Sequence, residues 1–184
     1  FHVHVQSADF GAQAQDGGDG LERAHRLVRL YKHFQPVLNR LVAKSRINNH
    51  YCAEFNNMSK NRLVDLFKLE VLVNSRIEAK FARSTTVVNF AMCRTRTTGQ
   101  RSIEFRQGSP SKQFECVWGW TVLMVALTEI AADLELDLDL PAPTLEGFKQ
   151  LLTSYEQQSG STNIAAWAAW RDNYMNRPPT EAEV

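Results

Sequence analysis

The sequence predicts a mainly helical α+β fold with about five helices and one central β-hairpin. Apolar residues recur at spacings of three and four along most of the chain, which is the period of amphipathic helices. Between residues 85 and 106 the pattern changes to β-branched and aromatic residues around a Thr98-Gly99 turn, which is typical of a hairpin. The composition, 43% hydrophobic and 22% charged over 184 residues, excludes a collagen-like or wholly disordered chain.

The first part of the chain predicts an arm followed by a broken helix. Residues 1–20 contain four glycines and little apolar periodicity, so we expect a flexible arm there. An apolar helical stripe then runs from Leu21 to Val42. Pro36 lies within it and predicts a kink or a break, because proline lacks an amide donor and clashes with the preceding turn. A second helix is predicted from Ser59 to about Arg83.

The predicted hairpin brings like charges together at its tip. A turn centred on Thr98-Gly99 pairs Met92 with Phe105 and directs the apolar residues of both strands toward a core. The same register places three arginines at the tip, and because like charges opposite one another across strands cost stability, the cluster is easier to understand if an anion binds it. These tip residues are Arg94, Arg96 and Arg101.

A core helix, an acidic strand and two further helices follow. The helix predicted from Lys112 to Ala132 has an uncharged run, Cys116 to Thr128, of thirteen residues, whereas a membrane crossing needs about 20. Residues 133–140 alternate acidic and apolar side chains as a strand does, although the carboxylates repel one another unless cations or basic neighbours relieve them. Thr144 is predicted to cap the next helix, and residues 159–161 to precede the last one.

These elements predict four regions of the chain. They are a flexible arm (1–20), a basic helix, hairpin and core-helix domain (21–140), a C-terminal helical pair packed on the same core (144–177) and a frayed tail (178–184). The break at 141–143, with two prolines, is the best boundary.

The residues that carry catalytic or metal chemistry are sparse. Cys52, Cys93 and Cys116 form no CxxC pair, which argues against a structural zinc site and favours a reducing compartment. His2 and His4 would share one face of a strand and could chelate metal, which we interpret as incidental. The chain has no GxSxG, Walker A, GxGxxG or HExxH motif. We therefore predict no enzyme activity, no cofactor and no metal site.

The distribution of charge is the most informative feature of the sequence. The net charge of the chain is only +1. Residues 21–113, however, carry 18 Lys or Arg against six acids, a net charge of +12, and residues 114–184 carry three against eleven, a net charge of −8. Such asymmetry indicates polyanion binding, or pairing of the two segments within or between chains.

This charge pattern predicts a non-catalytic nucleic-acid-binding protein. Phosphate contacts need cations without acidic competitors, and the basic segment supplies them on a helix stripe and on the hairpin. In element order, residues 59–107 resemble the recognition helix and wing of a winged-helix module, which implies that these elements contact nucleic acid. The predicted contact residues are Arg26, Arg29, Arg40, Lys44, Arg46, Arg94, Arg96, Arg101 and Arg106.

Two alternatives from other classes remain open. One is a structural or assembly subunit, such as a viral coat, phage or large-complex component, whose basic segment docks on the acidic segment of the next copy. The other is an adaptor or inhibitor of an acidic or nucleic-acid-binding partner, acting through the acidic ladder at 133–139. The predicted partners are nucleic acid, either DNA or RNA, and further copies of the chain through its acidic C-terminal region, with no membrane. The predicted location is intracellular, including a virion or nucleoprotein assembly.

Overall fold

The computed structural model describes residues 1–6, 19–47, 52, 88–89, 102–133, 139–161 and 163–177. These residues form five α-helices and a three-stranded antiparallel sheet, which confirms the mainly helical α+β class with a β-hairpin. In chain order the elements are β1 (Val3–Gln6), α1 (Asp19–His33), α2 (Gln35–Arg40), a short 3-10 helix (Lys44–Arg46), β2 (Val88–Asn89), β3 (Ser102–Phe105), α3 (Phe114–Ala132), α4 (Leu145–Ser159) and α5 (Ile164–Asn176).

The predicted break at Pro36 is confirmed, because α1 ends at His33 and α2 begins at Gln35. Pro36 occupies the first turn of α2, where its missing amide hydrogen has no helical partner to lose. Phe34, the residue between the helices, is fully buried and stacks at a tilt on Phe148 of α4, with 4.9 Å between the ring centroids. The break therefore directs an aromatic ring into the core.

Strand β3 lies at the centre of the sheet, between β1 and β2. Val3 pairs with Phe105 and Val5 with Ile103, and all four side chains are buried. The predicted flexible arm over residues 1–20 is therefore wrong for Val3–Gln6. The two valines alternate with polar residues, so this short segment buries one face against the core while it adds a strand to β3.

The predicted hairpin pairs in a different register. Phe105 lies opposite Val88 rather than Met92, a shift of four positions along the first strand. Because side chains alternate along a strand, an even shift keeps Val88 and Phe105 on the same face, and both are buried as predicted. The hairpin tip and the predicted helix over 59–83 lie outside the described residues.

Helix α3 is the central element of the core and contacts α1, α4, α5 and β1. Leu123, Met124 and Leu127 are buried on it, as expected for a helix that other elements surround. Within the described part of the chain, it is the one helix whose length and apolar composition would allow it to cross a membrane. Of its apolar window, 56% is buried inside the protein.

A buried polar network joins α1 and α2 to the residues that follow β3. The Tyr31 hydroxyl donates to Gln107 Oε1 at 2.8 Å, and Gln107 Nε2 donates to Asn39 Oδ1 at 2.6 Å. Gln35 Nε2 donates to Asn39 Oδ1 at 3.1 Å and contacts Gln107 Oε1 at 3.3 Å. Because Tyr31, Gln35 and Gln107 are fully buried, these hydrogen bonds offset much of the cost of removing their polar groups from water, whereas Gln35 Oε1 has no hydrogen-bond partner among the described residues.

The last two helices are capped by side chains. Thr144 accepts a hydrogen bond from the Gly147 amide at 3.2 Å, which confirms the predicted N-cap of α4. Gly160 ends α4 in the left-handed region, with φ of 69°. The Glu156 carboxylate then accepts from the amides of Ile164 and, at 2.9 Å, Ala165, so α4 supplies the acceptor for the first turn of α5. The predicted tail at 178–184 and most of the acidic strand, 134–138, lie outside the described residues.

Candidate nucleic-acid interface

The first residue of the predicted basic stripe is engaged within the fold. Arg26 donates from Nε to the Ala131 carbonyl at 3.2 Å and from Nη2 to the Asp133 carbonyl at 2.5 Å. Arg23 donates to the neighbouring Ala132 carbonyl at 2.9 Å. These carbonyls end α3, where acceptors without helical partners and the helix dipole attract cations. Arg26 therefore holds α1 on α3 and is not one of the proposed phosphate contacts.

Arg40 joins the basic segment of the chain to the acidic one. Its Nη2 lies 2.7 Å from Asp172 Oδ2, which connects α2 to α5. The Asp172 side chain is 5% exposed and that of Arg40 is 52% exposed. The buried carboxylate therefore needs Arg40 to compensate its charge, whereas water can solvate the arginine. Asn176 Nδ2 also contacts Asp172 Oδ1, at 3.2 Å. Pairing between the two segments within one chain therefore occurs at this point.

Two predicted residues, Arg46 and Arg106, are brought together at the end of β3. Arg46 Nη2 and Cys52 Sγ both donate to the Arg106 carbonyl, the thiol at 3.0 Å. Arg106 in turn pairs with Glu104, with 2.9 Å between Nη2 and Oε2. Burial raises the pKa of Cys52 although both guanidinium groups favour its thiolate. Only 20% of the Arg106 side chain is exposed, so this cluster presents little cationic surface.

Arg29 and Lys44 are the members of the predicted stripe that the structure leaves exposed without an ion pair to another described residue. Arg29 lies on α1 and Lys44 begins the 3-10 helix. Arg171 of α5 donates to the Leu41 carbonyl at 3.0 Å, which holds the segment leading to Lys44 against the C-terminal half of α5. The three hairpin-tip arginines, Arg94, Arg96 and Arg101, lie outside the described residues.

The C-terminal half of α5 and the residue that follows the helix carry an aromatic cluster with cations, formed by Trp170, Tyr174 and Arg177. The Trp170 and Tyr174 rings stack with 5.5 Å between centroids and 25° between planes. The Arg177 guanidinium carbon lies 5.0 Å from the Tyr174 centroid, and that of buried Arg171 lies 5.4 Å from it. Trp170 is 42% exposed, although helical spacing groups it with the buried Ile164 and Trp167.

The spacing of these residues is the sequence signal that indicates one surface. Positions 170, 174 and 177 are separated by four and three residues, so they lie on one side of a helix. The pattern does not distinguish a buried side from an exposed one. The tertiary structure shows which side of α5 is buried. Trp167 packs against α3, where its Nε1 donates to the Glu115 carbonyl at 2.9 Å, and Trp170, three residues later, is exposed.

A cleft between the end of α3 and α4 has the opposite charge. It has a volume of about 500 Å³ and is lined by Glu129, Asp133, Asp139 and Tyr155 among others. Burial, followed by the hydrogen bond to Glu129, raises the pKa of Tyr155 to about 12. With three carboxylates along its walls, this cleft repels phosphate, so it is not part of the candidate interface.

A second group of polar residues lies on the outer face of the sheet. His2 Nδ1 lies 2.8 Å from Glu104 Oε1, and His4 Nδ1 lies 3.4 Å from Ser102 Oγ. Desolvation lowers the pKa of His2 and outweighs the attraction of the Glu104 carboxylate. The alternation of His2 and His4 is visible in the sequence, whereas their meeting with Glu104 depends on a strand pairing across about a hundred residues.

No protein-family model matches the chain, and no curated protein and no solved structure matches it either.

Proposed function

We propose that the chain is a non-catalytic nucleic-acid-binding protein that binds single strands through the aromatic cluster of α5. The stack of Trp170 on Tyr174, beside the Arg177 guanidinium on an exposed surface, is the observation that carries this proposal. Unpaired bases stack on aromatic side chains of this kind, and adjacent arginines neutralise the phosphates. A duplex hides the faces of its bases, so the cluster favours a single strand.

The basic segment of the chain supports the same proposal, although the aromatic cluster itself lies in the acidic segment, 114–184. The basic segment, 21–113, carries a net charge of +12, which raises the local concentration of a polyanion. Among the described residues, the ion pair of Arg40 with Asp172 neutralises a cation of this segment with a carboxylate of the acidic segment. Exposed Lys44 and Arg29 supply phosphate contacts on the described surface. The arginines at the hairpin tip stay predicted contacts.

The experiment is fluorescence anisotropy with labelled single-stranded RNA, single-stranded DNA and duplex DNA over a salt series. We expect Trp170→Ala to weaken single-strand binding about 5- to 150-fold at every salt concentration, because one stacked base contributes about 1–3 kcal/mol. We expect Lys44→Ala and Arg177→Ala each to reduce the slope of log affinity against log salt by about 0.7, the share of one phosphate contact.

Trp118→Ala is the matched control, because Trp118 is also 42% exposed but lies on α3. It should leave single-strand binding within about twofold of the unmodified chain, because Trp118 is not part of the stack of Trp170 on Tyr174. Equal losses for the two tryptophan variants would show that the stack is not the binding surface. Tighter binding of the duplex than of either single strand would refute the single-strand proposal, and no salt dependence would refute the phosphate contacts.

Assembly is a second candidate function, favoured by the exposed apolar side chains of α3. Phe114 is 71% exposed and Trp118 is 42% exposed, and the two lie one helical turn apart. Exposed apolar side chains that lie next to one another occur at interfaces between chains. Light scattering over a range of concentrations tests this function: self-association that Phe114→Ser and Trp118→Ser abolish would support it, and a monomer at every concentration would exclude it.

A further inference from the structure

Two imidazoles and one carboxylate lie close together on the face of the β1–β3 pair that is turned away from the core. Val3 and Val5 of β1 point into the core, so His2 and His4 lie on the opposite face. The antiparallel register places His4 directly across from Glu104 of β3. Side chains that lie opposite one another in such a pair project to the same side. The strand pairing therefore brings His2 and His4 close to Glu104, although about a hundred residues separate them in the sequence. All three are residue types that bind metals in proteins.

The distances between these side chains suit a single small cation. One ligand atom from each of His2, His4 and Glu104 lies within 4.8 Å of the other two. A tetrahedral zinc ion has bonds of about 2.0–2.2 Å to nitrogen and oxygen, which separates its ligand atoms by about 3.3–3.5 Å. The 2.8 Å contact between His2 Nδ1 and Glu104 Oε1 would need to lengthen by about half an ångström to admit the ion. Both imidazoles are exposed and can adjust by side-chain rotation.

The carboxylate is already held in a suitable orientation. Arg106 Nη2 binds Glu104 Oε2 at 2.9 Å, and His2 contacts the other oxygen, Oε1. The Glu104 side chain is only 10% exposed, so this orientation is fixed by its surroundings. Ser102 Oγ lies 3.4 Å from His4 Nδ1, close to the distance of a hydrogen bond that would orient the ring. Contacts of this kind beyond the ligands orient metal-binding side chains in proteins.

We propose that His2, His4 and Glu104 form a binding site for a divalent transition metal, with zinc as the representative ion. Two imidazole nitrogens and one carboxylate oxygen favour zinc, nickel, copper or cobalt over magnesium and calcium, which prefer oxygen ligands alone. Three protein ligands leave a fourth position for water or an external ligand. His2 and His4 alone supply two ligands, and the strand pairing adds Glu104 as the third, so we no longer interpret the two histidines as incidental.

The metal also links β1 to the centre of the sheet. Strand β1 is four residues long and is joined by backbone pairing to β3. An ion bound by side chains of both strands stabilises their pairing, because it binds the folded arrangement and not the separated strands. The expected result is a higher unfolding temperature with zinc, and this increase should disappear when the ligands are removed.

The test is titration of the untagged chain with zinc by calorimetry and with cobalt by absorption spectroscopy. We expect one zinc per chain, and at least tenfold weaker binding for each of His2→Ala, His4→Ala and Glu104→Gln. Gln6→Ala is the matched control, because Gln6 is exposed on the same face of β1 as His4, two residues further along the strand. It should bind zinc as the unmodified chain does. Calcium and magnesium should not compete at equal concentration.

Cobalt absorption separates this site from the cysteines, and the His2→Ala and His4→Ala variants separate it from the other histidines. A site of two nitrogens and one oxygen gives ligand-field absorption without the charge-transfer band of a cobalt thiolate, whereas Cys52 or Cys116 would produce that band. Loss of a folded circular-dichroism spectrum in Glu104→Gln would shift the decision to His2→Ala and His4→Ala, whose imidazoles are exposed. Unchanged zinc binding in the double histidine variant, a thiolate band or no zinc binding at micromolar protein would each overturn the proposal.

Discussion

Substitution of Gly119 by alanine tests the closest approach of α3 and α5. Gly119 lies inside α3, where alanine favours the helix by about 1 kcal/mol over glycine. Helix propensity alone therefore predicts that Gly119→Ala stabilises the protein. The packing of the two helices predicts the opposite sign.

The clash arises from Trp167 of α5. A Cβ atom at position 119 would lie 2.2 Å from two atoms of the Trp167 ring, Cε2 and Nε1, and 2.5 Å from a third, Cδ1. The ring is only 8% exposed, and its Nε1 donates to the Glu115 carbonyl at 2.9 Å, so a shift that relieves the clash strains this hydrogen bond. Overpacking costs about 1–3 kcal/mol and the hydrogen bond about 1 kcal/mol, which together exceed the gain in propensity. We expect a net destabilisation of about 1–3 kcal/mol.

The assay is urea unfolding followed by circular dichroism, with the same substitution repeated in a Trp167→Leu background. Without the indole ring the clash is absent, so Gly119→Ala should then stabilise by up to about 1 kcal/mol relative to Trp167→Leu alone. A Gly119→Ala variant as stable as the unmodified chain would refute the close approach of the helices. An equal loss in both backgrounds would show that Trp167 is not its cause.

Three further predictions concern the buried network, a helix cap and a tyrosine. Tyr31→Phe should cost about 1 kcal/mol of unfolding free energy, because it removes the hydroxyl that donates to Gln107 at 2.8 Å. Thr144→Ala should also cost about 1 kcal/mol, measured by denaturant unfolding, because the first turn of α4 loses its N-cap. Burial and the Glu129 hydrogen bond raise the pKa of Tyr155 from 10.0 to about 12. The folded chain thus keeps a proton that the unfolded chain loses, so this stabilisation is complete below pH 10 and is lost as the pH rises to 12.

Each of these predictions has a control and an outcome that would contradict it. In a Gln107→Leu background, Tyr31→Phe should cost less than in the unmodified chain, and strict additivity would show that the bond contributes nothing. Thr144→Ser retains a capping hydroxyl, so its unfolding free energy should be close to that of the unmodified chain. A loss equal to that of Thr144→Ala would show that the cap is not the cause. Tyr155→Phe should unfold with a weaker dependence on pH between 10 and 12, and an unchanged dependence would assign the loss to other groups.

Local patterns predicted the elements that depend on nearby residues. The break at Pro36 and the cap at Thr144 are confirmed because each follows from the backbone chemistry of a few neighbouring positions. The extent of α3 is predicted to within two residues at its start, since its apolar run is continuous. The strand Val3–Gln6 was missed, because four residues beside a glycine-rich stretch give too short a pattern to outweigh the composition around them.

The candidate sites could be predicted only in part. Helical spacing places Trp170 with Tyr174, and strand alternation places His2 with His4, so residues on the same element are grouped correctly. Their partners on other elements follow from packing and register. The assignment of Arg26 to phosphate contact assumed an exposed helix face, whereas that face lies against the C-terminal end of α3.

The amino-acid sequence alone determines the charge of each segment, the period of each element and where the backbone must turn, because these properties depend on residue type and local spacing. It does not determine which basic side chains make contacts within the fold and which stay exposed. Arg26 caps a helix, Arg40 pairs with Asp172 and Lys44 stays exposed, although all three belong to one basic stripe. The environment of each side chain depends on which element packs against it. Contacts between residues about a hundred positions apart arise from the packing of the whole chain and not from any local pattern.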